Sequence, residues 1–573
     1  MANLNTILNK TNTYDAIVIG SGMSGGWAAK ELCEKGLKTL VLEKGRMVNH
    51  IEDYPTMNHD HWDMELHGAL SHNDQQKHHI QTRSGFVGES TKHFFTNDLE
   101  NPYQENQRFD WIRGNHVGGR SLTWGKQVYR WSDLDFEANA KQGIGTDWPI
   151  RYKDIAPWYS YVEKFVGVSG QKLGLAHLPD GEFLPPMEMN CLEKHFKKEV
   201  EQKLKGRYVT IGRVAHLTEP QAQHLALGRG KCQNRNRCSR GCPYGAYFSS
   251  NAATLPAANN TGNLAIRPNA IVHSLILDEK TGKATGVKII DAESKEEVIF
   301  KAKIIFLCAS TLGSTQILMN STSGRFPNGM GNDSGELGHN LMDHHYRTGA
   351  MASFEGMEDQ YYKGSRPNGI FIPRFRNLDE NSKNKDFIRG YDYQGSGGRG
   401  NWGVGVNNEG VGADFKESLS KPSGWGLFLM GFGEVLPYHD NKVSLDKTKV
   451  DKWGIPQLVF DAGLKANEMK MREYMRSDAA EMLENAGFKN IKTFDNAGGL
   501  GVGVHEMGTA RMGKDPKTSV LNANNQIHAV PNVFITDGAA MASASCVNPS
   551  ITYMALTARA VNFAVEALNK RDL

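Results

Sequence analysis

The sequence predicts a mixed α/β fold, and three observations carry the prediction. Tyr14–Gly20 is a short apolar run that leads straight into glycines at positions 20, 22 and 25. Several runs of strand length crowd residues 265–310 and recur over 424–460. Helical stretches lie between and after them, so strands and helices interleave along the chain.

Taken in order, residues 26–35 read as a helix and Thr39–Leu42 as the next strand, closing on Glu43. That is a βαβ unit in about 30 residues. A Gly-rich stretch follows at 100–130, then a Tyr-rich helix over 146–166 begun by Trp148-Pro149. Cys232, Cys238 and Cys242 fall within eleven residues. The strand-like runs of 265–310 end in Ile304–Ala309. Residues 383–412 are poor in hydrophobic residues and rich in Gly and Asn, which predicts a long loop or lid. An amphipathic helix is expected over 465–486, two Gly-rich turns after 500, and a last helix over 549–569. Asn548-Pro549 suits its start, Asn as the cap and Pro in the first turn.

The 573 residues are enough for one large or two interleaved domains. Net charge is +3 with the basic residues scattered, which gives nucleic acid no footprint. No apolar run approaches the ~20 residues that span a bilayer, so no direct membrane span is expected. Met1–Asn12 is polar, without an apolar core or an Arg pair, and does not read as an export signal. Synthesis in the cytoplasm is the expectation. Seven cysteines, four of them isolated, argue against a disulfide framework.

In Gly20-x-Gly22-x-x-Gly25 the first glycine permits the turn, the second lets a pyrophosphate approach, and the third lets helix pack on strand. The helix N-terminus then faces the phosphates. Glu43 stands at the end of the second strand, where a carboxylate accepts ribose hydroxyls and repels a 2′-phosphate. Gly20, Gly22, Ser24, Gly25 and Glu43 are the candidate dinucleotide contacts. NAD and FAD share this fingerprint.

Further motifs narrow the choice. Gly114-Asn115-His116-Val117-Gly118-Gly119-Arg120-Ser121-Leu122-Thr123-Trp124-Gly125 resembles the first signature of the glucose–methanol–choline (GMC) oxidoreductase family. His505–Gly513, Val530–Gly538 and Val547–Thr552 resemble its closing segment, and Asn269–Val272 with Ala309-Ser310 resemble its adenine and ribose side. The resemblance implies FAD, held by a Rossmann-like domain built from residues 13–330 and 500–573, with a mostly antiparallel substrate domain over 331–499. Gly118, Ser121, Val272, Ala309, Asp537, Gly538, Pro549 and Ser550 become further cofactor contacts. Thr123 stands where pyranose oxidases carry a flavin-linked His, so the FAD is expected to be non-covalent. His505 is implied as the catalytic base and Asn548 as its partner on the substrate oxygen. A neutral imidazole suits the hydroxyl proton, and flavin N5 takes the hydride. A relay protein would need no such base.

The cysteine loop Cys232-x5-Cys238-x3-Cys242-Pro243 suits an iron–sulfur cluster, with zinc or three plain thiols as the alternatives. It resembles the loop of FAD-dependent glucose, gluconate and fructose dehydrogenase large subunits, which implies a [3Fe–4S] cluster on these three residues. Such enzymes carry a further Cys where this chain has Lys231; Cys191 would make a fourth ligand if the fold brought it near. The likeness extends to glucoside 3-dehydrogenases. It implies oxidation of a sugar or glycoside secondary hydroxyl, C3 of glucosides or galactosides first, with polyols or sugar acids such as sorbitol or gluconate as the alternative. A small companion subunit, a c-type cytochrome acceptor and co-export to the periplasm are implied with it. His116 and the loop at Trp402 are expected to line a sugar pocket.

Overall fold

The first apolar run becomes a central strand because both of its edges are taken. In the computed structural model, which describes residues 3–4, 12–361, 366–399, 411–420, 423–496 and 498–573, Thr13–Ile19 (β1) pairs in parallel with Thr39–Leu42 (β2). Leu264–Arg267 (β3) extends the sheet beyond β2, also in parallel. Ala270–Asp278 (β4), Lys283–Asp291 (β5) and Glu297–Leu307 (β6) form an antiparallel meander. The burial of β6 records its two kinds of neighbour. It alternates exposed and buried beside β5, then stays buried over Ile304–Leu307, where β1 and the parallel strand Val530–Ile535 flank it. A strand covered on both faces needs an unbroken apolar run.

Met23–Glu34 (α1) follows the glycine turn, starting three residues earlier than expected because Gly26 N already donates to Gly22 O. Tyr152–Val166 (α2) starts later than expected; Arg151 N donates to Asp154 Oδ2, while Trp148 sits outside the helix, buried, its indole donating to Ser543 Oγ. The C-terminal helix Ser550–Asn569 packs on both α1 and α2.

A second sheet is antiparallel and built from His344–Phe354 (β7), Ile370–Ile372 (β8), Tyr391–Arg399 (β9), Trp425–Glu434 (β10) and Lys489–Asp495 (β11), in the order β11-β7-β10-β9-β8 with Thr210–Ile211 at the edge. The expected loop at 383–412 is corrected by β9. Its glycines serve packing rather than a turn: a Cβ at Gly397 would press on Glu193 and Leu192 of Cys191–Lys203 (α3). Trp402 lies outside the described residues. A third, small sheet joins Lys442–Val450 and Pro456–Asp461 to Gln104–Glu105.

The second sheet has two unlike faces. Ile370, Ile372, Tyr391, Tyr393, Leu427 and Leu429 turn to α3 and to Ala466–Asn485 (α4), forming one apolar core. Register places Phe371, Asp392, Gln394, Met430 and Phe432 together on the opposite face. That face meets Tyr129 and Asn548: Phe371 stacks on Tyr129 at 3.9 Å, and Gln394 donates to Asn548 Oδ1.

Candidate active site

His505 is anchored through its backbone before its ring does anything. Asp343, just before β7, accepts from His505 N at 2.9 Å and His344 N at 2.8 Å through Oδ1, and from Gly501 N at 2.7 Å and Gly503 N at 3.0 Å through Oδ2. Met342 and Met507 add a reciprocal backbone pair. One buried carboxylate thus fixes the loop 501–505 against β7. Burial and Glu506 push the Asp343 carboxyl up, to about 7, and the amide donors oppose that.

The ring's hydrogen bonds then set its tautomer. His344 Nε2 lies 3.2 Å from Ala544 O, and a carbonyl can only accept, so that nitrogen carries the proton. His344 Nδ1 is therefore an acceptor, and His505 Nδ1, 3.0 Å away, donates to it. His505 Nε2 is left with its lone pair free. Asn548 Nδ2 stands 3.5 Å from that nitrogen, and Gln394 Nε2 donates to Asn548 Oδ1 at 2.7 Å, aiming the amide N–H groups at His505. An oxygen about 2.9 Å from each of Nε2 and Nδ2 closes a triangle on that 3.5 Å side. Burial, then His344 and the Arg120 guanidinium, hold His505 well below the usual imidazole range, so it is neutral. Arg120 itself makes a two-pronged pair with Glu506, 2.7 Å at the shorter contact.

The glycine turn has the shape a pyrophosphate needs. Gly20 is left-handed at φ +93°, and a Cβ at Gly25 would lie 1.9 Å from Gly20 O. At Gly22 a Cβ would meet nothing nearer than Gly118 O at 4.0 Å, so the backbone there borders open space. Ser24 Oγ donates to Thr536 O. Glu43 is buried, accepts from Ser21 Oγ at 2.6 Å and Gly45 N at 3.0 Å, and is pushed up by burial. Gly118, at φ +93°, accepts from Ser121 Oγ and packs on Asn251. Val272 lies on β4, and Ala309 follows β6. Asp537 accepts from Ser314 Oγ and Ala539 N, and burial pushes it up to about 6. A Cβ at Gly538 would collide with Glu506 O. Pro549, not Asn548, occupies the cap position before Ser550, which leaves the Asn548 side chain for Gln394 and His505. His116 is corrected: it is buried against Phe94, its ring bonded to Val117 O.

Two family models, both described as GMC oxidoreductase, match residues 221–346 and 437–557. The chain belongs to the GMC oxidoreductases. Members bind FAD and act on CH–OH donors. Along nearly the whole chain it is 28% identical to a 2-methyl-1,2-propanediol dehydrogenase of Mycolicibacterium austroafricanum, covering 96% of this chain and 94% of that protein. It is 25% identical to a fructose dehydrogenase large subunit of Gluconobacter japonicus (97% and 98%) and 24% to a gluconate 2-dehydrogenase flavoprotein of Pantoea cypripedii (96% and 93%). Among solved structures, pyridoxine 4-oxidase from Mesorbium loti superposes with a TM-score of 0.59 at 16% identity over 96% of this chain and 99% of that one. A formate oxidase variant of Aspergillus oryzae gives 0.61 at 13%, over 99% and 100%. These two share the fold.

In this GMC oxidoreductase Cys232, Cys238 and Cys242 line one cavity together with His216 and Tyr247. His216 Nε2 is 3.5 Å from Cys238 Sγ, a neighbour the sequence spacing did not reveal. Cys191 is elsewhere, at the start of α3, and is corrected as a fourth ligand. Two buried cations face the thiols. Burial pushes Lys126 down to about 8 and Arg229 down to about 9, and the acidic groups acting on them are thiols alone. A tetrahedral zinc site at ~2.3 Å per thiolate needs sulfurs about 3.8 Å apart. Among the described residues no three ligands converge for a single ion. Arg229 donates to the carbonyls of Gly245, Phe165 and Val166, and the Lys126 ammonium lies over the Tyr247 ring.

His344, Asp343 and Gln394 are the functional residues the sequence did not announce. The run Asp343-His344-His345 was the available signal, but nothing in it specifies a partner 161 residues away.

Proposed function

We propose that the chain is a FAD-dependent dehydrogenase that oxidises a secondary ring hydroxyl of a sugar or glycoside, C3 of glucosides or galactosides first, to the keto product. The observation that carries the reading is the neutral His505 with Nε2 unprotonated and Asn548 Nδ2 beside it. The fructose and gluconate dehydrogenase relatives and the diol dehydrogenase support a polyhydroxy substrate. The C3 position rests on the sequence resemblance.

The substrate hydroxyl sits between His505 Nε2 and Asn548 Nδ2. Asn548 donates to its oxygen and fixes the C–H direction; such orientation is worth several kcal/mol. His505 Nε2 takes the hydroxyl proton, and His344 keeps the opposite ring nitrogen engaged throughout. Gly20, Gly22, Ser24, Gly25, Glu43, Gly118, Ser121, Val272, Ala309, Asp537, Gly538, Pro549 and Ser550 would hold the non-covalent FAD. When bound, FAD supplies the hydride acceptor, N5. Cys232, Cys238 and Cys242 would hold an iron–sulfur cluster, [3Fe–4S] by the resemblance, which supplies one-electron transfer to a c-type cytochrome. A small companion subunit and export with it belong to the same proposal; among the described residues no helix is long and apolar enough to cross a membrane.

The test is an anaerobic absorption and EPR spectrum of the purified chain before and after methyl α-glucopyranoside. Flavin bands that bleach on addition, with a cluster signal lost in Cys238→Ser, are expected. Flavin that never bleaches with any sugar or polyol overturns the substrate class. Flavin without a cluster signal overturns the cysteine assignment.

A further inference from the structure

The second sheet supplies a partner to each member of the catalytic pair, although His505 and Asn548 themselves belong to the C-terminal segment. His344 opens β7 and pairs with Glu434 of β10; Gln394 lies on β9 and pairs with Met430 of the same strand. Residues 430 and 434 point the same way, because side chains alternate along a strand. Leu427 and Leu429 of β10 go to the core under α4, so His344 and Gln394 share the other face. There His344 meets His505, and Gln394 meets Asn548.

The four side chains form a chain of hydrogen bonds with one direction. Gln394 Nε2 donates to Asn548 Oδ1 at 2.7 Å, and Asn548 Nδ2 faces His505 Nε2 at 3.5 Å. His505 Nδ1 donates to His344 Nδ1 at 3.0 Å, and His344 Nε2 to Ala544 O at 3.2 Å. The carbonyl at the far end can only accept, and that sets the direction of the rest. Asn548 is the link able to reverse, since a half-turn of its amide exchanges Oδ1 and Nδ2 with almost no change of shape. Reversed, Oδ1 opposes the lone pair of His505 Nε2, and the substrate oxygen loses its donor. The 3.5 Å approach to His505 is longer than an ordinary hydrogen bond and restrains the amide weakly. The 2.7 Å bond from Gln394 is the strong restraint, and it occupies Oδ1 while both Nδ2 hydrogens stay available.

We propose that Gln394 is a positioning residue for the oxidation: acting only through Asn548, it holds the amide in the place and orientation from which Nδ2 donates to the substrate oxygen. The inference rests on the reading of His505 and Asn548 as the oxidising pair. It makes the second sheet, rather than the segment that carries the pair, the source of the pair's geometry.

The experiment uses the flavin-loaded full chain and the sugar or polyol that bleaches the parent flavin fastest, methyl α-glucopyranoside being tried first. Gln394→Leu removes the donor at similar size. Gln394→Glu keeps the shape but offers Asn548 a carboxylate that only accepts, which favours the reversed amide. Anaerobic stopped-flow mixing gives the limiting rate of flavin reduction and the sugar concentration at half that rate. The limiting rate should fall about 3- to 10-fold in Gln394→Leu, the worth of one neutral hydrogen bond, and about 10- to 100-fold in Gln394→Glu, where the bond is to a charged group. The half-saturating concentration should move by less than about twofold, since the bond acts on orientation rather than on binding. In an Asn548→Ala background both substitutions should change the rate by less than about twofold, because their route to the substrate is gone. Flavin content and melting temperature should match the parent's, and Gln394→Met replaces Gln394→Leu if the branched side chain lowers either. A Gln394→Glu enzyme faster than Gln394→Leu, losses that persist beside Asn548→Ala, or a parental rate in Gln394→Leu would overturn the proposal. Asn548→Ala with the parent's rate instead sinks the catalytic reading beneath it, and a parent that no sugar or polyol reduces sinks both.

Discussion

Replacing His344 with Leu removes the acceptor that holds the His505 proton on Nδ1. The ring of His505 is buried, so its Nδ1–H is left without a partner, at about 1–3 kcal/mol. The proton can escape that cost by moving to Nε2, where it blocks the lone pair that must receive the substrate proton. The competent tautomer is then depleted by the same free energy, which corresponds to about a 5- to 150-fold fall in the rate of flavin reduction. KM should move little, because a protonated Nε2 still hydrogen-bonds the substrate oxygen by donating. His344→Asn restores a carbonyl acceptor and should recover part of the loss. Stopped-flow mixing with sugar under anaerobic conditions measures the step directly. A His344→Leu enzyme within twofold of the parent, or no better result with Asn, would refute the tautomer argument.

Asp343→Asn turns an amide NH₂ toward two backbone N–H donors that now have an acceptor, at a cost of about 2–6 kcal/mol. Scanning calorimetry should show a lower melting temperature; an unchanged one shows that the loop 501–505 has other anchors. Gly25→Ala places a methyl 1.9 Å from Gly20 O and should yield protein without bound flavin, read from the flavin-to-protein absorbance ratio. A full flavin complement would place the cofactor elsewhere. His116 and His344 are both held down to about 4 by burial, against 6.5 when unfolded. Their neutral forms cost nothing above pH 6.5, and stability is lost as pH falls from there toward 4. At pH 5 each contributes a loss of about 2 kcal/mol, so melting at pH 5 should lie below that at pH 7. Equal melting temperatures would count against the buried placement of both rings.

What was legible in the sequence is what local chemistry writes there. The glycine turn, the acid ending β2 and the His505 motif each carry their requirement within a few residues. His344 does not, because its role comes from a pairing between β7 and a loop far along the chain. The glycines of β9 misled for a related reason. Composition registers a missing side chain, while only the fold reveals that α3 occupies the vacated space. His116 looked like a pocket residue beside a flavin-type loop, but its turn carries the ring into the small core around Phe94. Asn548 satisfied the sequence rules for a helix cap, and Pro549 took the position instead.

The two unlike faces of the second sheet also bear on how this protein can change. Along β9 the odd-numbered residues Tyr391 and Tyr393 belong to the core under α4, and the even-numbered Asp392 and Gln394 lie on the opposite face, where Gln394 holds Asn548. Drift in substrate preference can therefore proceed through every second codon of one short strand, while the intervening codons stay under packing constraint. Substitutions at Gln394 would alter the site with less loss of foldable members than substitutions at Tyr391 or Tyr393, which would mostly yield unfolded chains.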